Sequence, residues 1–141
     1  MRKLGIDYGD SRVGIAITDA LNITVQGLET IHHQGNDKLV LKRIEELLNE
    51  YEVDTLVIGM PINMNGTKTQ RVEVTEKFIH KLKCKFNKIT IETVDERLTT
   101  VAAHKTMNFL NVDKNKKKNI VDTISAVYIL ETYMKKIENA N

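Results

Sequence analysis

The stretch Leu4–Gly9, with the sequence LGIDYG, places a carboxylate inside an otherwise apolar strand and follows it with a glycine turn. An unpaired buried charge is strongly unfavourable, so Asp7 there needs a metal ion, a cationic partner or a proton. A simpler interpretation is that Asp7 only forms the turn, by accepting backbone N–H bonds from residues 9 to 11. The stretch alone supports both interpretations.

The residues after the turn predict a second strand that returns as a hairpin. Branched and small residues alternate over Val13–Asp19, as in a strand with two different faces. The small residues of this strand share one face and are Gly14, Ala16 and Thr18. Gly5 and Asp7 share a face of the first strand. An in-register hairpin would therefore place Asp7 over a shallow floor that another backbone or a substrate can approach.

Composition indicates an ordinary globular protein. The sequence has 141 residues, of which 41% are hydrophobic and 28% charged, so we expect one domain spanning residues 1–141. No membrane-length apolar run or secretory signal is present, which predicts a cytoplasmic location. The net charge of +2 is too small to indicate nucleic-acid binding by itself. Cys84 is the single cysteine and forms no zinc motif with the histidines, and we expect His32 and His33 to be an exposed pair.

Hydrophobic patterns beyond the hairpin predict alternating strands and helices. The predicted strands are Val25–Ile31, Thr55–Gly59 and Ile89–Val94; the predicted helices run from Asn36 or Asp37 to Glu50, over 69–83, from Thr99 or Thr100 to Leu110, and over 120–138. Apolar residues at helical spacing are Val40, Leu41, Ile44, Leu47 and Leu48 in the first helix, and Val72, Val74, Phe78, Ile79 and Leu82 in the second. Strand–helix–strand units imply parallel pairing, so the fold class is α/β with a mixed sheet, antiparallel first and then parallel.

Acidic residues occur at three places where strand ends or a packed helix could bring them to one end of this sheet: Asp7, the pair Asp95 and Glu96, and Asp122. Magnesium and manganese prefer such hard oxygen ligands, and paired ions of this kind hydrolyse phosphodiesters. Alternation places only one of Asp95 and Glu96 on a given face, and spacing does not say which. The hypothesis is that the three positions converge on divalent cations.

Each acidic position also has a structural interpretation. Asp122 lies three residues after Asn119. If Asn119 caps the last helix, Asp122 is an acidic residue in the first turn, a position that the helix dipole favours. Against this, Asp122 shares a helical stripe with the small residues Ser125 and Ala126, which would allow close approach to the floor around Asp7. The pair at 95 and 96, followed by Arg97, could equally be a solvated corner. The turn-rich loop Asn63–Thr67 follows a buried strand, where a ligand site or a plain connection is expected.

Basic residues could form a rim that faces phosphates. They are Arg12, Arg71, Arg97, Lys114, Lys116, Lys117 and Lys118. The alternative is that the lysines form a solvated connector before the last helix.

Four ordered blocks resemble the YqgF/RuvX family, a compact branch of the ribonuclease H-like fold that is similar to Holliday-junction resolvases. The blocks are Asp7–Gly9 with Arg12–Ala16, Gly59–Pro61 with Asn65–Thr67, Asp95–Thr100, and Val121–Asp122 with Ala126, Ile129, Leu130 and Tyr133. Two departures are Ser125, where the family more often has alanine, and Lys68–Gln70, where a further glycine is common.

The resemblance implies a ribonuclease H-like fold, with a five-stranded mixed sheet and helices on both faces. It also implies a metal-dependent nuclease of the two-metal-ion type, with Asp7, Glu96 and Asp122 as the catalytic ligands of Mg²⁺ or Mn²⁺. Arg12 and Arg97 would then be phosphate or structural contacts. The expected function is processing of the 5′ end of pre-16S rRNA in ribosome biogenesis, with structured RNA or branched DNA, and ribosomal particles, as partners. The alternatives are a Holliday-junction resolvase and a non-catalytic RNA-binding assembly factor.

Overall fold

The structure is a computed structural model that describes residues 1–62, 69–96 and 114–140, with side chains of the last helix described from Thr123 onward. Its strands are β1 (Arg2–Tyr8), β2 (Arg12–Thr18), β3 (Val25–His32), β4 (Val53–Met60) and β5 (Thr90–Asp95); its helices are α1 (Asp37–Tyr51), α2 (Gln70–Lys85) and α3 (Lys114–Ala140). The predicted helix near residues 99–110 and the loop Asn63–Thr67 lie outside the described residues. None of the described helices has both the length and the apolar composition of a membrane span.

The five strands form one mixed sheet in the order β3-β2-β1-β4-β5. The first three strands pair antiparallel, whereas β1 with β4 and β4 with β5 pair parallel. This arrangement confirms the predicted α/β fold class with a mixed sheet. Because β1, β4 and β5 are mutually parallel, their carboxyl ends meet at the same edge of the sheet.

The two faces of the sheet carry side chains of very different size. Leu4 and Ile6 of β1 point to the face covered by α1 and α2, where most of the large buried side chains collect. The opposite face is a thin layer of small and medium residues, including Ala16 and Val57, packed against α3. The sheet therefore has helices on both faces, as expected.

The first hairpin aligns the small residues of β1 and β2 on one face of the sheet, the arrangement considered from the sequence. Gly5 pairs with Ala16, and Asp7 pairs with Gly14. A Cβ atom added at Gly5 would lie 2.6 Å from the carbonyl oxygen of Ala126, so glycine at this position lets the α3 backbone lie directly on β1. The last helix of the chain, α3, thus packs directly on the small residues beside Asp7.

Two predictions about exposure are wrong. Val74 is 42% exposed, and the buried position is Thr75, because the buried stripe of α2 follows Val72 at steps of three and four residues and position 74 falls off it. His32 and His33 are not both exposed, since His33 is buried. Strand alternation places these neighbours on opposite sides.

The prediction of a lysine-rich connector over 113–118, before a last helix that starts near Ile120, is also wrong, because α3 begins at Lys114. Lysine is a good helix former, and α3 contains no glycine or proline that would stop it. Asn119 consequently lies inside the helix, and Asp122 is not in a first turn capped by Asn119. The capping interpretation of Asp122 does not hold.

Candidate active site at the carboxyl edge of the sheet

Asp7 is the next-to-last residue of β1 and is only partly accessible to solvent. The turn that follows is closed by the backbone, since the Gly9 N–H donates to the Arg12 carbonyl oxygen at 2.8 Å. The Asp7 side chain contacts a second acid instead, because its carboxyl group shares a hydrogen bond with the carboxyl group of Glu96. The interpretation of Asp7 as only a turn former therefore does not account for its position.

The electrostatics of this carboxyl pair are unfavourable for two negative charges. Burial raises the pKa of Asp7 well above its ordinary value, and the hydrogen bond and the negative charge of Glu96 raise it further. The positive charge of Arg71 acts in the opposite direction. Two carboxylates in one site repel each other when both are ionised, and a bound cation would relieve that repulsion.

The parallel pairing of the strands explains why Glu96 reaches Asp7. Asp95 pairs with Met60 at the end of β4 and β5, and Glu96 is the first residue beyond β5. Gly59 provides the space that the Glu96 side chain occupies, because a Cβ atom at Gly59 would lie 2.7 Å from Glu96 Cγ and 2.9 Å from Glu96 Oε1. The sequence showed Gly59 as the end of an apolar run and as part of a family motif, but its role in making room for Glu96 was missed.

Asp122 lies on α3, and its side chain is outside the described residues. It precedes Ala126 by one helical turn, and Ala126 is the residue whose carbonyl approaches Gly5. Asp7 lies two residues beyond Gly5 on the same face. The convergence of Asp122 with the other two acids stays a prediction.

The predicted basic rim is described only in part. Arg12 begins β2 and pairs with His32 of β3. Arg71, in the first turn of α2, is exposed, and its Nη2 lies 3.4 Å from the Tyr8 carbonyl oxygen. Arg97 and the side chains of Lys114 and Lys116–Lys118 lie outside the described residues. Arg71 is thus a cation that the structure brings to the acidic pair.

The chemistry of the donors fits a hard divalent cation. Carboxylate oxygens are the ligands that Mg²⁺ and Mn²⁺ prefer, and Asp7 and Glu96 present them together. Among the side chains that the structure describes, no group of three His, Cys, Asp or Glu residues could hold a metal ion. That set does not include the side chain of Asp122.

A separate polar network holds the same turn from the opposite face of the sheet. The Tyr8 hydroxyl donates to Asp37 Oδ1, and Lys81 Nζ donates to Asp37 Oδ2 at 2.9 Å. His33 lies between two backbone groups, because the Gly35 N–H donates to Nδ1 at 3.0 Å and Nε2 faces the Gly9 carbonyl oxygen at 2.9 Å. This arrangement requires the ring hydrogen to be on Nε2. The network anchors Tyr8 and Gly9, the two residues that directly follow Asp7.

Solved structures similar to this chain share its fold. The Thermus thermophilus RuvC structure in complex with a Holliday junction substrate has a TM-score of 0.58 and 10% identity, covering 97% of this chain and 96% of that chain. The fowlpox virus Holliday junction resolvase has a TM-score of 0.59 and 14% identity, covering 97% and 99%. At these identities the likeness shows the ribonuclease H-like fold alone.

Sequence relatives match over nearly the whole chain. A protein of Ruminiclostridium cellulolyticum named "Putative pre-16S rRNA nuclease" is 54% identical over 137 residues, which is 97% of this chain and 96% of that protein. A protein of Clostridium tetani with the same name is 47% identical, covering 99% of both. The RuvX family, described as Holliday junction resolvase, matches residues 1–136. With its mixed sheet, its acidic edge and these relatives, the chain belongs to the RuvX family.

Proposed function

We propose that this protein is a metal-dependent nuclease that hydrolyses phosphodiester bonds in structured RNA, with the precursor of the small-subunit ribosomal RNA as its substrate. The observation that carries the proposal is the contact between the carboxyl groups of Asp7 and Glu96 at the edge where three parallel strands end. The names of the relatives support the choice of RNA. The residues from 1 to 141 would act as one domain in the cytoplasm.

The proposed ligands of the cations are Asp7, Glu96 and Asp122. Mg²⁺ or Mn²⁺, when bound, supplies an activated water and stabilises the oxygen that leaves the phosphorus. Asp7 and Glu96 would contribute carboxylate oxygens held by β1 and by the end of β5, two rigid elements of one sheet. Rigid placement matters because productive geometry tolerates only small displacements.

Phosphate contacts are proposed for the basic residues around this edge. Arg12 and Arg97 follow the two strand ends that carry the acidic residues. The lysines occupy the first turns of α3, the same helix that carries Asp122 further along. Lysine and arginine contacts of this kind would hold the nucleic-acid backbone and make binding weaken as salt increases.

Cleavage of a ribosomal-precursor fragment with Mg²⁺ or Mn²⁺ tests the proposal. We expect cleavage by the wild type, and its loss in Asp7→Asn and Glu96→Gln. Glu76→Gln is the matched control, because Glu76 is an exposed carboxylate on α2. Full activity of Asp7→Asn would contradict the site. RNA binding without cleavage by the wild type under all conditions would contradict the nuclease and favour an assembly factor.

Resolution of Holliday junctions is the second candidate, because the matching family is described by that activity. A resolvase cuts two strands of one junction, so it needs two sites and normally a dimer. Cleavage of a synthetic four-way DNA junction by a dimer, with no cleavage of the RNA fragment, would favour this candidate. A monomer that cleaves only the RNA would exclude it.

A further inference from the structure

Arg71 differs from other arginines whose contacts the structure describes. Arg43 is held by two carboxylates, with nitrogen–oxygen distances of 2.7 and 2.8 Å to Glu29 and 2.9 Å to Glu46. Such forked pairs fix a guanidinium in place. Arg71 is exposed, and the hydrogen bond that the structure gives it within the described part of the chain is one of 3.4 Å from Nη2 to the Tyr8 carbonyl oxygen. A bond of this length is weak and is easily exchanged for a better acceptor.

The location of Arg71 supplies the second observation. The carbonyl that it contacts belongs to the residue directly after Asp7, and its positive charge acts on Asp7. Among the described residues, the polar partner that the structure gives Arg71 is this carbonyl oxygen. A guanidinium has five N–H donors, and the Tyr8 carbonyl oxygen uses one of them. An anion that enters this edge would meet Arg71.

The anion that fits is a phosphodiester. Arginine matches phosphate oxygens with two parallel hydrogen bonds. Asp7 and Glu96 repel an anion by themselves, so a cation at their margin is needed wherever a phosphate must approach. Arg71 comes from α2, whereas the two acids come from β1 and from the end of β5. The substrate phosphate would therefore be held from a different element than the proposed ligands.

We propose that Arg71 is a catalytic residue of this nuclease, binding a non-bridging oxygen of the scissile phosphate and stabilising the negative charge that develops there. The inference rests on the proposed function. In the reaction a water oxygen forms a bond to phosphorus, the P–O bond to the leaving oxygen breaks, and the proton lost by the water is balanced by one taken up at the leaving oxygen. Arg71 stays protonated throughout and exchanges the Tyr8 carbonyl for the phosphate oxygen.

The test compares Arg71→Gln, Arg71→Lys and the control Lys77→Gln, which removes one positive charge from an exposed position of the same helix. We expect Arg71→Gln to lower kcat by about 10²-fold, as does the loss of one donor to a developing oxyanion in other enzymes, with a smaller change in KM. Arg71→Lys should recover part of kcat, since lysine keeps the charge but not the fork. Lys77→Gln should behave as the wild type.

A second measurement separates this role from a structural one and from metal binding. In thermal melts without substrate, Mn²⁺ should raise the Tm of Arg71→Gln at least as much as that of the wild type, because removing a cation favours a divalent ion at the acids. Asp7→Asn should show no such rise.

Three outcomes would overturn the inference. One is a kcat of Arg71→Gln within about threefold of the wild type, far from the loss expected for a lost donor. Another is loss of the Mn²⁺ response in Arg71→Gln, which would make Arg71 a structural support. The third is a wild type that binds Mn²⁺ but cleaves no nucleic acid, which contradicts the proposed function as well and is distinguished by the inactivity of the unmodified protein.

Discussion

Asp7 and Asp37 meet the end of β1 from opposite faces of the sheet, and their surroundings act on them in opposite directions. Burial and Glu96 raise the pKa of Asp7. Burial also disfavours ionised Asp37, but hydrogen bonds from Tyr8 and Lys81 outweigh that effect and lower its pKa. Asp37 is thus an acid whose charge the fold satisfies, while Asp7 faces another acid. A strained acidic pair at a strand end is typical of a functional site.

Of the substitutions that test the contrast between Asp7 and Asp37, Gly59→Ala should have the largest effect, and the effect is on cleavage activity. The new Cβ would displace the Glu96 carboxyl group and Ile129, and disturbing the support of a metal ligand typically costs about 10- to 100-fold in activity or metal affinity. The measurement is kcat/KM for RNA cleavage at saturating Mn²⁺. Activity equal to the wild type in a folded variant would mean that the position of Glu96 does not matter for catalysis.

Asp37→Asn should destabilise the protein by about 1–2 kcal/mol at neutral pH, because a charged acceptor of two hydrogen bonds is lost at the first turn of α1. Since the folded-state pKa of Asp37 lies below its ordinary value, the stabilisation is present above about pH 4 and is lost as pH falls through the folded-state pKa. Urea unfolding of variant and wild type from pH 7 to pH 3 measures this. A difference that stays constant over the range would contradict it.

Asp7→Asn should change stability in the direction opposite to Asp37→Asn. We expect it to raise the free energy of unfolding by about 0.5–2 kcal/mol in the presence of a chelator, as removal of functional strain commonly does. Its amide can still donate to Glu96. Because the folded-state pKa of Asp7 is raised, the cost in the wild type is absent at low pH and grows as pH rises through the ordinary carboxyl range. Thermal melts at pH 4 and pH 8 should show the gain mainly at pH 8. Equal stability at both would show that the acidic pair is not strained.

Lys81→Gln should have the smallest effect. The Lys81 side chain is 51% exposed, and exposed ion pairs contribute only about 0–1 kcal/mol. We expect a loss of stability below that of Asp37→Asn, with unchanged cleavage, measured by the same urea series. A loss as large as that of Asp37→Asn would show that Lys81, and not the Tyr8 hydroxyl, is the main stabilising partner of Asp37.

The extent to which the site was predictable differs from residue to residue. Asp7 stood out because an acid inside an apolar strand is costly wherever the strand packs. The choice between Asp95 and Glu96 needed the resemblance to a family, and the contact of Glu96 with Asp7 depends on where β5 ends. Arg71 was named among the basic residues of a possible rim and Gly59 within a family motif, but the contacts of Gly59 with Glu96 and of Arg71 with Tyr8 join residues far apart in the sequence, so no local pattern predicted them.

The sequence by itself determined the five strands, the first two helices, the mixed sheet and the two faces of the first hairpin, since periodicity and residue size are local properties. Only the tertiary structure decided that α3 starts at Lys114, that His33 is buried, and that Glu96 and Arg71 meet Asp7. The physical reason is that burial and electrostatic pairing depend on which distant segments pack together. Parallel strand ends bring such segments to one edge without leaving a periodic trace in the chain.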